Sequence, residues 1–176
     1  NFIRMFFSEI SQNAFSVISR LSGAEYVLEG DPEAVLLARL IASGLVALAF
    51  VIQTEGLALD HAAAAVASNY LVTLMSLAIK LIAAAGVKES EAFQILRPLV
   101  NGTLTNIETA GIPEALTGPI ARGDCKTVAD HMTGIQKLGT DVLLLYKTLG
   151  RATVQIARDK GTLSADAARE ILHLLG

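Results

Sequence analysis

From Leu57 to Gly86 the chain runs as one alanine- and leucine-rich stretch, and that run limits what the rest of the molecule can be. At the standard helical rise such a segment is roughly 45 Å long, and Gly86 is suited to close it because glycine adopts positive φ at little cost. On a wheel of roughly 100° per residue, His61, Ser68, Asn69, Ser76 and Lys80 fall within an arc of roughly 120°. Most of the remaining circumference is Ala, Leu, Val and Met, so other apolar surface must cover the helix from more than one side. The whole chain sharpens this requirement. It is 52% hydrophobic and only 18% charged over 176 residues, which is one ordinary domain or one domain plus a remnant of another. A single core of that size leaves apolar faces over, and an interface between two copies covers them most simply, so a homodimer built mainly from helices after Gly56 is expected.

Ahead of the long helix the pattern is different. AEYVLEG, from Ala24 to Gly30, reads as a strand. Asp31-Pro32 then supplies an N-cap and a first-turn proline for a helix reaching about Gly44, and residues 46 to 54 read as a buried strand. Strand, helix, strand is what remains when only the end of a doubly wound nucleotide-binding sheet is kept. No G-x-G-x-x-G occurs in the chain, and residues 1 to 23 are too few for a missing first half. After Gly56 the chain reads as helical to its end, giving two parts, 1–56 and 57–176. A second helix from about Ser90 meets Pro98, so a kink or break is expected near Arg97, and Gly111-Ile112-Pro113 ends it. Asp124 occupies an N-cap position for a helix over 124–137. Residues 140–158 place Val142, Leu145, Tyr146, Leu149 and Ile156 on one face, and a short amphipathic helix follows Ser164.

Several classes of function fit poorly. Net charge is −3 with no basic run, which argues against nucleic acid. The single Cys125 leaves no internal disulfide and no Cys-rich metal site, and it favours a reducing, cytoplasmic setting. Neither His131 nor His173 has a ligand-spaced partner, so no metal is expected. Residues 35–52 and 62–86 approach the length of a membrane span. The first carries Arg39 and a Ser43-Gly44 break, however, and the second carries Ser68, Asn69, Thr73, Ser76 and Lys80, so no membrane association is expected. The opening residues, Asn1 to Phe7, lack the small-residue cleavage pattern of a signal peptide, and the absence of an initiator Met suggests missing upstream sequence.

Two motifs carry the chemistry. In Thr117-Gly118-Pro119-Ile120-Ala121-Arg122-Gly123-Asp124, two glycines and a proline fix a turn that bears one arginine and one aspartate. In His61-Ala62-Ala63-Ala64-Ala65-Val66-Ala67-Ser68-Asn69-Tyr70, three polar side chains interrupt a helix that could have been wholly apolar. With LEGD at the strand end, GTLTNI at 102–107 and LGRATVQIA at 149–157, these motifs resemble, in order, the bacterial Rossmann-like proteins grouped as the domain of unknown function 2520 family. That family is related to 6-phosphogluconate dehydrogenase, ketopantoate reductase and pyrroline-5-carboxylate reductase. The resemblance covers nearly everything after Gly23.

The resemblance implies a mainly α chain: a 6-phosphogluconate dehydrogenase C-terminal-like helical domain that pairs with its twin, preceded by a short α/β remnant of a Rossmann domain. It implies NAD or NADP as cofactor of the intact protein. Without the Gly-rich loop, this chain alone is expected to bind neither. In the relatives, the helix after the Rossmann domain presents a polar residue near the reacting carbon, so Asn69 is the candidate to polarise a substrate carbonyl or hydroxyl, assisted by Ser68. His61, earlier on the same side, is the candidate proton donor. The alternative is that Asn69 and Ser68 bond across a helix interface and His61 caps a neighbouring strand.

Arg122 offers a bidentate fork for a substrate carboxylate or phosphate, or else it pairs with Asp124 and stiffens the turn. Thr117 and Gly118 supply hydroxyl and backbone donors to the same ligand, or only shape the turn. Asn101, Thr103 and Asn106 are further pocket candidates, or local caps. Two functions remain open. One is the substrate-binding and dimerisation domain of an NAD(P)-dependent oxidoreductase acting on a small polar or anionic substrate. The other is a non-catalytic dimeric module for a small molecule or partner.

Overall fold

The computed structural model describes residues 2–5, 25–44 and 47–176. The expectations for Asn1, residues 6–23, the Ala24 strand start and Val46 lie outside those residues. The described chain forms two compact units, Asn1–Leu71 and Val72–Gly176. Each is taken by itself below.

In the first unit three strands form one sheet, ordered β1 (Phe2–Met5), β2 (Glu25–Glu29), β3 (Leu48–Val51). β2 and β3 are parallel, with Glu25 opposite Leu48, and α1 (Pro32–Gly44) makes the crossover between them. β1 adds to the other edge of β2 in antiparallel sense, Phe2 opposite Glu29, which the sequence did not suggest. The start of α1 follows the expected cap: the Ala34 amide donates to the Asp31 carboxylate at 3.0 Å, and Pro32 opens the helix. Tyr26 and Leu28 of β2 and Ala42 of α1 form the small core of this unit. Leu36, Leu37, Leu40 and Ile41 on α1, and Leu48 and Phe50 on β3, stay exposed.

α2 runs from Leu57 to Ala84. It is not α-helical throughout. Residues Ala65–Asn69 form a π turn, closed by the Tyr70 amide on the Ala65 carbonyl. Each residue of the wider turn advances less than in an α-helix, so the faces before and after it are offset. The single polar arc drawn through His61, Asn69, Ser76 and Lys80 assumed an unbroken α period and does not hold across this turn. No residue of α2 is buried. The helix closes as expected at Gly86, φ +102, with the Val87 amide returning to the Ile82 carbonyl at 3.3 Å.

In the second unit α3 (Glu89–Ala110) passes through Pro98 as one helix, where a kink or break was expected. Proline removes the bond to the Gln94 carbonyl. Both Gln94 and Pro98 are exposed, so water can satisfy that carbonyl and the helix continues. Beyond Gly111, φ +82, follow α4 (Ile112–Ala115), α5 (Pro119–Arg122), α6 (Cys125–Gln136), α7 (Thr140–Asp159) and α8 (Ala165–Leu175). Ile120, Val128, Val154, Ala157, Leu163, Ala168, Ile171 and Leu175 form their common core. The stripe of α7 that is buried is Gly150, Val154 and Ala157, one step around from the Val142–Ile156 face read from the sequence, whose members are half-buried or exposed. Gly150 decides this. A Cβ there would stand 3.0 Å from the Leu175 methyls, so the bare backbone lets α8 lie against α7. Ser164 caps α8 by accepting from the Ala167 amide at 3.2 Å.

Candidate anion-binding site

The turn Thr117–Asp124 is built from backbone rules first. Gly118, φ +97, turns the chain into α5, whose first residue is Pro119, and Gly123, φ +69, turns it out again. The Asp124 amide returns to the Pro119 carbonyl at 2.9 Å and the Gly123 amide to Ile120 at 3.1 Å, a closure that glycine allows. Asp124 then caps α6. One carboxylate oxygen accepts from the Thr127 amide at 3.0 Å, the other from the Thr127 hydroxyl at 2.6 Å. Those bonds, helped by the nearby charges of Arg122 and Lys126, hold its carboxyl below the usual aspartate range.

Both Asp124 oxygens turn to Thr127, and the Arg122–Asp124 ion pair that stood as the alternative to anion binding is not formed. The Arg122 amide donates to the Gly118 carbonyl at 3.2 Å, but among the described residues its side chain makes no hydrogen bond and no salt bridge, and Arg122 lines a cleft of about 450 Å³. Leu116, Thr117, Gly118 and Ala121 line it from this turn and the residue before it, and Lys160 and Thr162 from the segment just after α7. Lys160 Nζ donates to the carbonyls of Glu114 and Leu116, each at 3.0 Å, and stands 3.8 Å from the Glu114 carboxylate. The Thr162 hydroxyl donates to the Ala121 carbonyl at 3.0 Å. These bonds staple the turn to α7 and bring a second cation beside Arg122. A carboxylate or phosphate would meet a planar guanidinium, a hydroxyl at Thr117 and a nearby ammonium.

The structure therefore groups Thr117, Gly118 and Arg122 and adds Lys160 and Thr162, which the sequence reading missed. Nothing local in Lys160-Gly161-Thr162 marks them; only the fold brings them to a turn some 40 positions earlier. Asn106 lies on α3 and does not line this cleft, and neither do Asn101 and Thr103, whose hydroxyl bonds back to the Leu99 carbonyl at 2.9 Å. Ser68 and Asn69 are the last two residues of the π turn in the other unit, and His61 is exposed on the helical turns before it. Desolvation, together with Glu170, pushes the Cys125 thiol up. Among the described residues no three His, Cys, Asp or Glu side chains converge as metal ligands.

A family model described as "Domain of unknown function (DUF2520)" matches residues 25–153. The chain belongs to that family. The DUF2520 match takes in the π turn of α2 and the whole Thr117–Asp124 turn, and it stops before Lys160 and Thr162. No curated protein matches the chain. A solved structure, the crystal structure of protein TM1727 from Thermotoga maritima, is similar to it with 26% sequence identity and a TM-score of 0.76. The likeness covers 90% of this DUF2520 chain and 61% of the Thermotoga maritima chain. The present chain thus spans about three-fifths of the length of that relative.

Proposed function

We propose that this chain is the helical substrate-binding and dimerisation part of an NAD(P)-dependent oxidoreductase acting on a small anionic substrate. The observation that carries the reading is the unpaired Arg122 guanidinium in a cleft completed by Thr117, Gly118 and Lys160. An exposed arginine side chain with no carboxylate partner, beside a lysine whose stem is buried, is available to an anion, and its bidentate fork favours carboxylate or phosphate. Two further features support it. The parallel β2–α1–β3 unit has the connectivity of a nucleotide-binding sheet, consistent with kinship to 6-phosphogluconate dehydrogenase and ketopantoate reductase. Ser68 and Asn69 sit in a π turn, which frees a backbone carbonyl from the helical ladder and recurs at functional positions in helices. In this reading Asn69, with Ser68, is the candidate to polarise a substrate oxygen and His61 to supply a proton, while Arg122 binds an anionic group in the cleft of its own unit; the protein works in the cytoplasm and as a homodimer.

One observation favours a second reading, a non-catalytic dimeric binding module: the chain contains no G-x-G-x-x-G. The two readings part in one experiment. The chain, and the native gene product that contains it, are titrated calorimetrically with NADPH, inorganic phosphate and small 2-oxo acids, and NADPH oxidation is followed. The oxidoreductase reading expects the gene product to bind NADPH and turn over a 2-oxo acid or phosphorylated carbonyl, with Asn69→Ala removing turnover. Anion binding that persists with no NADPH binding by the gene product would establish the module instead. For either reading Arg122→Ala weakens anion binding about tenfold or more, the loss of one or two charge-assisted hydrogen bonds. Unchanged anion affinity in Arg122→Ala would remove the cleft from both.

A further inference from the structure

A second cavity, larger than the Arg122 cleft at about 660 Å³, opens within the Val72–Gly176 unit. Its apolar wall is made by Leu81 and Ala84 at the end of α2, Ile135 on α6 and Leu138 just beyond it. Its polar patch is one pair: His131 Nδ1 and the Tyr146 hydroxyl stand 2.9 Å apart, with the rings edge to face at 6.1 Å between centroids. Burial holds the Tyr146 phenol above its ordinary range, so it remains a protonated group at neutral pH. Whichever way the proton between them lies, the pair keeps a donor for a third group. If the phenol donates to Nδ1, the imidazole Nε2–H is left; if Nδ1–H donates to the phenol oxygen, the phenol O–H is left.

Charge and shape narrow the occupant. Asp130 lines the cavity but is paired with Lys126 at 2.7 Å, whereas Lys137, which also lines it, has no ion pair among the described residues. The uncompensated charge at the cavity is therefore positive. Gly134 is the second pointer. It sits inside α6, where glycine is unfavourable relative to alanine, and a Cβ there would meet nothing within 4 Å. The fold itself does not need that glycine for packing, and it lines the cavity. A bare backbone at that place leaves room for a close approach from the cavity side.

We propose that this cavity binds a small hydrophobic carboxylate, its hydrocarbon part against Leu81, Ala84, Ile135 and Leu138 and its carboxylate held by the His131–Tyr146 pair and Lys137. A volume of about 660 Å³ lies in the range of small-molecule pockets and accepts a chain of eight or so carbons. The site shares no lining residue with the Arg122 cleft and does not depend on the proposed reaction.

Calorimetric titration of the full chain with octanoate, and with octan-1-ol as the neutral counterpart, tests it. Octanoate is expected to bind about tenfold or more tightly than the alcohol, and Lys137→Gln and Gly134→Leu are each expected to weaken it by about tenfold, with far-ultraviolet circular dichroism unchanged. Lys137 is exposed, so that variant folds and decides the matter even if Gly134→Leu does not. No octanoate binding, equal affinity for the alcohol, unchanged affinity in Lys137→Gln, or loss of binding in Arg122→Ala would each overturn the proposal. So would light scattering in which Gly134→Leu breaks apart a self-associated protein, since the cavity would then seat a second copy.

Discussion

Asp124 shows how much one side chain can decide. By capping α6 through Thr127 it gives the helix its start, and it acts on Arg122 only as a nearby charge, without a salt bridge. Its carboxyl is depressed in the folded state, chiefly by the Thr127 hydroxyl, so the stability it lends is complete above the ordinary aspartate value of 3.8 and is lost as pH falls through the lower folded value. Asp124→Ala is accordingly expected to lower the melting temperature by several degrees at neutral pH, and the gap to the parent protein is expected to close in strongly acidic buffer. Thermal melts of both proteins across pH check this; a gap that persists in acid would mean that the cap acts without its charge. Gly123 is the companion case. Its φ is +69 and a Cβ would lie 3.0 Å from the Ala167 Cβ, whereas Gly111, φ +82, faces open space. Gly123→Ala is expected to destabilise by about 2 kcal/mol or more and Gly111→Ala by about 1 kcal/mol. Denaturant melts that rank the two variants the other way would contradict the packing at α8. The sequence made the Asp124 cap and the glycine turn legible because their chemistry is local. It left the Arg122–Asp124 pairing open, since competition between Thr127 and Arg122 for one carboxylate is settled by geometry.

Among the elements, those with punctuation at both ends were the most legible. Asp31-Pro32 opens α1, Gly86 closes α2, and Asp124 and Ser164 start α6 and α8. What the sequence could not carry was register. The π turn in α2 changes which side chains share a face, and no residue type announces it. On α7 the small Gly150 and Ala157, not the larger apolar residues, mark the buried stripe, because closeness of approach to α8 outweighs side-chain size. Pro98 was read by the general rule against proline in helices, and α3 keeps its course because the unpaired carbonyl is exposed. Pro98→Ala restores that hydrogen bond and is expected to stabilise the protein by about 1 to 3 kcal/mol, the interior-proline penalty less the entropy proline removes from the unfolded chain. A denaturation midpoint that falls would show that α3 needs the proline.

For the molecule as a whole, the segment that frames the fold is the one it does not bury. α2 is 28 residues long, with mean hydropathy 1.7 in its most apolar window and none of that window buried. By length and composition alone such a helix could cross a membrane. Its Ser68, Asn69 and Lys80, and the exposed Phe93, Leu99 and Leu104 on α3, suit a protein partner better, and a second copy is the occupant proposed. Light scattering in detergent-free buffer is expected to return twice the chain mass, and the melting temperature is expected to rise with protein concentration, as mass action requires of linked folding and association. A monomer with a concentration-independent transition would refute this, and a protein recovered only with detergent would point to lipid. The bare helix also has a consequence for the life of the chain in a cell. If a second copy is its cover, as proposed, a newly made chain shows until then the kind of apolar surface that chaperones hold and proteases remove, and its survival would depend on the time taken to find a partner and hence on how fast it is synthesised. A variant that weakens the pairing without touching any pocket would be seen first as a fall in abundance, with the activity of each surviving molecule intact.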